Sequence, residues 1–433
     1  MKVLVCDDEE GLGRAIVEAI AEGAPGNLEV SMLVGNGLTE ELTRLFQRVQ
    51  NCLDEPESYR SRNDLAFDEV DLAILDNNLA HLDIKGARLT AESIAGYVRA
   101  FTGVPYLVSL NKNPDVDFDL RYLVGDYETR ADIALNTHHL ENKALWTRNR
   151  ADSGDGFLPW YWPELRAAPE RRRGQIAFMR GRLSDPVFAT LALPTNDEAL
   201  GFLSLHAKGA LSPDAQAEGS EEAREGTSIG DLSFRDFFVS RSRSLPTKDE
   251  REQLFAAATA GNEAIDLVIR RVVAADLDFW FRRDVVGPQE LLVDVPHLLM
   301  RMPFLLGEGA ADVNAWNRAI NELAPPFGLD PALFTTRLEK ATFEHDIWIT
   351  TPAFQWPSLK KDEKLNDLFF SSKQDSWADV VFCEDRSEFC ERSPKDGDGA
   401  PAEFSSELEG NWGRRHVARV EGYRYKPQSR FAV

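Results

Sequence analysis

Three short, almost wholly apolar runs punctuate the first 113 residues, and each ends on a polar side chain. Lys2-Val3-Leu4-Val5-Cys6 runs into Asp7-Asp8-Glu9, Val70-Asp71-Leu72-Ala73-Ile74-Leu75 ends on Asp76, and Val104-Pro105-Tyr106-Leu107-Val108 ends on Ser109. Runs of this length that are apolar on both alternations predict strands covered on both faces, as in a parallel sheet. The segments between them carry apolar residues at helical spacing. Gly13–Ile20 and Leu89–Phe101 are predicted as helices, and so is Thr39–Leu53, where Thr39 stands as an N-cap before Leu42, Leu45, Phe46 and Val49. Leu28–Val34 reads as a second strand and Ala131–Leu135 as a fifth. The βα alternation predicts a doubly wound parallel α/β domain over residues 1–150, closing between Leu140 and Arg150.

In such a sheet, residues at the carboxyl ends of neighbouring strands gather in one crevice. Asp7, Asp8, Asp76 and Ser109 are therefore expected to meet at one edge. Clustered carboxylates are hard oxygen donors that suit Mg2+, and the metal offsets repulsion between them and an incoming phosphate. The plainer reading is that these acids cap strand-to-helix turns, where Asp is locally favoured.

The ordered set resembles the receiver domain of response regulators. By that resemblance, Asp7 and Asp8 are the acidic pair that holds magnesium and Asp76 accepts a phosphoryl group from a histidine kinase or phosphotransfer protein. Ser109 contacts the phosphate, and Asn78 offers a backbone carbonyl to the metal. It further implies that a helix-four face within Asp117–Arg130 repacks on phosphorylation, and it leaves room for a homodimer. The family's proline after the acceptor is absent from Asn77–Asp83, a long loop (Asn51–Glu69) precedes strand three, and no lysine follows strand five, where Asn136-Thr137-His138 stands instead. Lys112 and Lys143 lie elsewhere in the chain.

Beyond residue 150 the pattern changes to a region read as mostly helical, α+β overall, over 151–433. Thr247-Lys248-Asp249-Glu250 is a capping box opening a helix through Val272, with Gly261 as a break. Leu291–Leu306, interrupted by Pro296 and Pro303, and Asp312–Leu323 are further helical stretches. Ile347–Thr351 and Ala378–Cys383 read as strands, and His416–Lys426 as a closing hairpin. Residues 207–230 and 394–410, poor in large apolar side chains, read as flexible segments.

The 433 residues suffice for two or three domains with real cores, and 43% apolar content with 25 Phe and 9 Trp argues against global disorder. A net charge of −23 disfavours broad nucleic-acid binding, which needs a positive surface. Arg171-Arg172-Arg173, with Arg180 and Arg182, is the densest basic run and reads as a solvated helix face beside Glu164 and Glu170. Four cysteines, no secretory leader and no 18-residue apolar stretch point to a reducing cytoplasm without a membrane span.

Other chemistry is sparser. Cys383 and Cys390 are spaced more widely than the usual zinc pair. His345-Asp346 beside Glu344, the group Asp276, Asp278 and Asp284, and Glu384-Asp385 are acidic clusters near predicted strand or helix ends. They support an alternative in which a degenerate receiver scaffold is fused to a metal-dependent nuclease or hydrolase. The aromatic segments at Trp160 and Trp356 support a third reading, a pure interaction module. Phosphate-binding loops, nucleophile elbows and zinc-protease helices are absent from the sequence.

Overall fold

The computed structural model describes residues 1–84, 87–111, 130–153, 156–159, 164–191, 231–241, 248–281, 293–322, 348, 354–355, 377–384, 386–391, 402–405 and 415–418. At its centre is a five-stranded, all-parallel sheet. In chain order its strands are β1 (Lys2–Asp7), β2 (Glu29–Val34), β3 (Leu72–Asp76), β6 (Tyr106–Asn111) and β7 (Ile133–Asn136), and in space they run β2-β1-β3-β6-β7. The order reverses between β1 and β3. That is the switch point where an open α/β sheet forms its crevice.

Every residue of β3 is buried, as are Val3 to Asp7 of β1. Two helical layers explain this. Helix α1 (Glu10–Gly23) packs on β1, β2 and α4 (Thr137–Glu141), while α2 (Gly35–Asp54) and α3 (Ala91–Phe101) pack together and α3 lies on β3 and β6. Each fully buried Val, Leu or Ile of these strands contributes roughly 1.5–3 kcal/mol. Two glycines permit the close approach of α1. A Cβ on Gly23 would stand 1.9 Å from the Leu140 carbonyl oxygen, and one on Gly13 would stand 2.9 Å from Met32 Sδ and 3.3 Å from Asp7 Cβ.

Several boundaries differ from expectation. Helix α2 begins at Gly35, so Thr39 lies within it and turns its hydroxyl back onto the Gly35 carbonyl at 3.1 Å. Helix α3 begins at Ala91, capped by Thr90, whose Oγ1 accepts from the Ser93 N–H at 3.2 Å. The residues before it form an antiparallel hairpin, β4 (Asn78–Ile84) with β5 (Ala87–Thr90), inserted directly after Asp76. Strand β6 continues past Val108 to Asn111 because Leu110 and Asn111 still find partners, Leu135 and Asn136, on β7.

Among the described residues, many of those after 150 pack onto the core of the parallel sheet. After α5 (Lys143–Thr147), helices α6 (Ala168–Phe178), α7 (Val187–Thr190), α8 (Phe234–Arg241), α9 (Lys248–Thr259) and α10 (Glu263–Trp280) follow, and α10 packs on both α3 and α6. One continuous apolar cluster runs from Val3 to Phe389. A buried ionic network ties the layers: Arg172 on α6 bonds Asp132 at 2.9 Å and Asp278 on α10 at 3.1 Å, while Arg99 on α3 bonds the same Asp132 oxygen at 2.8 Å. Described residues on both sides of residue 150 thus pack together.

Gly261, at φ 98°, breaks α9 from α10 as expected, and the Asn262 side chain caps α10 while reaching the Pro56, Glu57 and Tyr59 carbonyls. Pro296 sits in the first turn of α11 (Val295–Arg301) and so starts that helix instead of interrupting it. Helix α12 (Val313–Glu322) follows. Short β8 (Val293–Asp294) and β9 (Phe354–Gln355) pair with each other, and a mixed sheet ordered β11-β10-β13-β12 ends the described chain. Its strands are β10 (Val380–Cys383), β11 (Glu388–Glu391), β12 (Ala402–Ser405) and β13 (Arg415–Ala418). Part of the segment expected to be flexible, 394–410, is thus strand β12. The expected hairpin over 416–426 is replaced, as far as it is described, by β13 pairing with β10 and β12. The stretch 207–230, Lys112 and the helix-four face up to residue 129 lie outside the described residues, as does Ile347–Thr351 except Trp348.

Candidate functional site

Strand β1 pairs Cys6 with Leu75 of β3, so the next residues, Asp7 and Asp76, reach the carboxyl edge together at the switch point. Both are buried, at 0% and 2% exposure, and Asp8 follows on the turn into α1. Asp7, Asp8 and Asp76 each place a carboxylate oxygen within 4.8 Å of the other two. The turn is fixed by Asp7 Oδ1, which accepts the Glu9 N–H at 2.8 Å, and Gly13 lets the first turns of α1 lie against Asp7. Three carboxylates this close in a low-dielectric crevice repel one another strongly, and a divalent cation relieves that repulsion. Oxygen-only donors at this spacing fit Mg2+.

The β4–β5 hairpin adds a group that sequence reasoning missed. His81 of β4 donates its backbone N–H to Asp8 Oδ2 at 3.0 Å and sets its Nδ1 3.1 Å from the same oxygen and 3.4 Å from Glu9 Oε1. Asp8, Glu9 and His81 form a second group of metal-capable side chains sharing Asp8 with the first. Only the hairpin brings His81 there, and a lone His between Ala80 and Leu82 carries no local signal of that contact.

The remaining expected residues fall differently. Asn78 opens β4, paired with Thr90, and its Oδ1 accepts the Ala80 N–H at 3.3 Å. Ser109 is buried, but β6 pairs it with Leu75, while Leu110 is the residue level with Asp76. Successive side chains in a strand leave on opposite faces. Ser109 therefore projects on the α2–α3 face, where its hydroxyl donates to the Glu92 carboxylate on α3. Burial pushes the Glu92 carboxyl up, against the pull of its donors: the backbone N–H groups of Arg130 and Ala131, then Ser109. The expected phosphate hydroxyl is thus not brought to the carboxylate cluster, because the register sets Leu110, not Ser109, level with Asp76.

At the fifth strand, Asn136 caps α4 by accepting the His139 N–H at 3.0 Å. Lys143 is an exposed residue of α5.

The candidate clusters of the C-terminal region separate into two groups. Asp278 is held by Arg172 and by Gln175 Nε2 at 3.3 Å, a buried structural role. Arg172 is likewise buried, so the basic run is not a uniformly solvated face. Glu384 is buried just after β10. Asp284, Glu344, His345, Asp346, Trp356, Asp385 and Trp160 lie outside the described residues. Among the described residues, no helix is long and apolar enough to cross a membrane.

Compared with known protein families, with curated proteins and with solved structures, the chain matches none.

Proposed function

We propose that this chain is a signalling protein whose parallel α/β unit takes a phosphoryl group on Asp76 in a Mg2+-dependent step, with a histidine kinase or phosphotransfer protein as donor. The observation that carries the reading is the convergence of Asp7, Asp8 and Asp76 at the switch point of a sheet ordered β2-β1-β3-β6-β7. This is the crevice in which an open doubly wound sheet binds its ligands.

The residues divide the work as follows. Asp7 and Asp8, with Asp76 itself, would hold the cation, and the Asn78 carbonyl is the backbone donor nearest in sequence. When bound, magnesium supplies charge neutralisation for the approaching phosphoryl group. A carboxylate oxygen of Asp76 attacks phosphorus, the donor's N–P bond breaks as the O–P bond forms, and the donor imidazole leaves with the electron pair. Burial of Asp7 and Asp76 keeps competing water from the reacting oxygen.

The readout differs from the one the resemblance implies. Among the described residues, Ser109 is turned to the opposite face from Asp76, and Asn136-Thr137-His138, not a lysine, stands at the end of β7. What rests on the crevice is the β4–β5 hairpin, through His81 on Asp8. A cation on Asp8 Oδ2 would draw on the oxygen that His81 holds. Loading the crevice therefore loosens the hairpin, which begins two residues after the acceptor. That is a local charge change biasing a short element with two arrangements.

The test is acetyl phosphate treatment of the full chain with Mg2+, read by intact mass. Uptake of one phosphoryl group, lost in Asp76→Asn and on chelation, is the expected result. A chain that stays unmodified, or an Asp76→Asn variant that is still modified, overturns the proposal.

A further inference from the structure

The β4–β5 hairpin sets one imidazole against two carboxylates. His81 Nδ1 lies 3.1 Å from Asp8 Oδ2 and 3.4 Å from Glu9 Oε1. The Asp8 side chain is 3% exposed, while those of His81 and Glu9 are open to solvent at 66% and 52%. A ring nitrogen carries at most one proton, so Nδ1 donates at full strength to only one of the two oxygens. The other carboxylate then faces the ring with no hydrogen of its own. A cation placed among the three groups satisfies all of them at once, with the Nδ1 lone pair as a ligand.

The spacing fits such an ion. Nitrogen and oxygen donors about 2.1 Å from one dication stand about 3.0 Å apart at a right angle and about 3.4 Å apart at the tetrahedral angle. Both distances from Nδ1 fall in that range, and the ligating atoms of Asp8, Glu9 and His81 all lie within 4.8 Å of one another. The donors are also held in place. The His81 backbone N–H orients Asp8 Oδ2 at 3.0 Å, and Asp7 Oδ1 accepts the Glu9 N–H at 2.8 Å, the kind of outer contact that fixes a ligand set. The imidazole separates this group from the all-oxygen crevice, because it favours zinc, nickel or copper over magnesium. Solvent at His81 and Glu9 gives the ion an entry path and leaves further coordination positions to water.

We infer that Asp8, Glu9 and His81 bind a transition-metal dication of the zinc class at the mouth of the crevice. The ion ties the β4–β5 hairpin to the turn between β1 and α1. The site shares Asp8 with the proposed magnesium group and needs neither Asp76 nor phosphoryl transfer.

The test is calorimetry of the full-length chain with Zn2+, for the wild type and for His81→Ala and Glu9→Ala, which truncate exposed side chains and leave the core intact. The wild type should bind Zn2+ more tightly than Mg2+, and each variant should bind it at least about tenfold more weakly. With Cu2+ as the probe, nitrogen coupling in the electron paramagnetic resonance spectrum should appear in the wild type and vanish in His81→Ala. Asp76→Asn should keep zinc while losing phosphoryl uptake, and His81→Ala should lose zinc while keeping Mg2+-dependent uptake, so the two readings fail separately. A wild type that takes up no Zn2+, unchanged zinc affinity in either His81→Ala or Glu9→Ala, or nitrogen coupling that persists in His81→Ala would each overturn the inference.

Discussion

Ser109 and Asp76 leave the central sheet on opposite faces. The register of β6 on β3 sets Ser109 beside Leu75 and Leu110 beside Asp76, and the Ser109 hydroxyl is spent on Glu92. Ser109→Ala is therefore predicted to leave magnesium affinity and phosphoryl uptake unchanged within about twofold. It should cost about 0.5–1.5 kcal/mol of stability, the usual net worth of a hydrogen bond. Urea unfolding beside acetyl phosphate kinetics separates the two effects. A large kinetic loss with little change in stability would contradict the assigned register.

With a cation in the proposed crevice, His81 and the ion would draw on the same Asp8 oxygen. The contact is exposed on the histidine side, at 66%, and is an ion pair only when the imidazole is protonated, so its worth is at most that of a surface pair, about 0.2–1 kcal/mol. His81→Ala should tighten Mg2+ binding by roughly 1.4- to fivefold, as measured by calorimetry. Weaker binding would show instead that His81 helps to hold the ion.

His139 gives the fold a pH dependence. It is fully buried, stacks on Phe157 with ring centroids 5.1 Å apart, and accepts the Asn136 N–H through Nδ1 at 3.1 Å. Burial, and then the neighbouring His138, hold its pKa well below the usual 6.5. The unfolded chain therefore takes up a proton below about pH 6.5 that the folded chain refuses. The stability that His139 contributes is complete above that pH and is lost progressively as pH falls below it. Thermal unfolding between pH 7 and 5 should show this slope in the wild type and a shallower one in His139→Gln.

Arg172 ties the sheet to the helices that follow it. Removing its guanidinium takes a buried charge partner from Asp278, which keeps the Gln175 amide, and from Asp132, which keeps Arg99 and the Leu107 N–H. Arg172→Leu should destabilise the chain by about 3–5 kcal/mol, the cost of breaking a buried pair from one side. Denaturant midpoints measure this, and a change under about 1 kcal/mol would mean that the two acids relax to solvent.

The sheet was legible because its strands are unbroken apolar runs, and Asp7 and Asp76 were legible because those runs stop on them. The face of Ser109 was not. Strand β6 runs three residues past its apolar run, so its register on β3 was not legible, and in a period of two one residue decides the face. The β4–β5 hairpin was hidden by its irregular register between Leu79 and Ile84, which spoils the alternation that marks a strand. Arg172, Asp132 and Asp278 lie 40 and 106 residues apart, so no local spacing announces their network or the core shared across residue 150.

The central claim is that Asp7, Asp8 and Asp76 form one magnesium-loaded acceptor site. The most direct test is intact-mass analysis after acetyl phosphate, with Mg2+ and with chelator, for the wild type and Asp76→Asn. One phosphoryl group is expected on the wild type with Mg2+ only, and none on Asp76→Asn under either condition. An unmodified wild type that also binds no Mg2+ would contradict it and leave the three carboxylates as a structural cluster at the sheet edge.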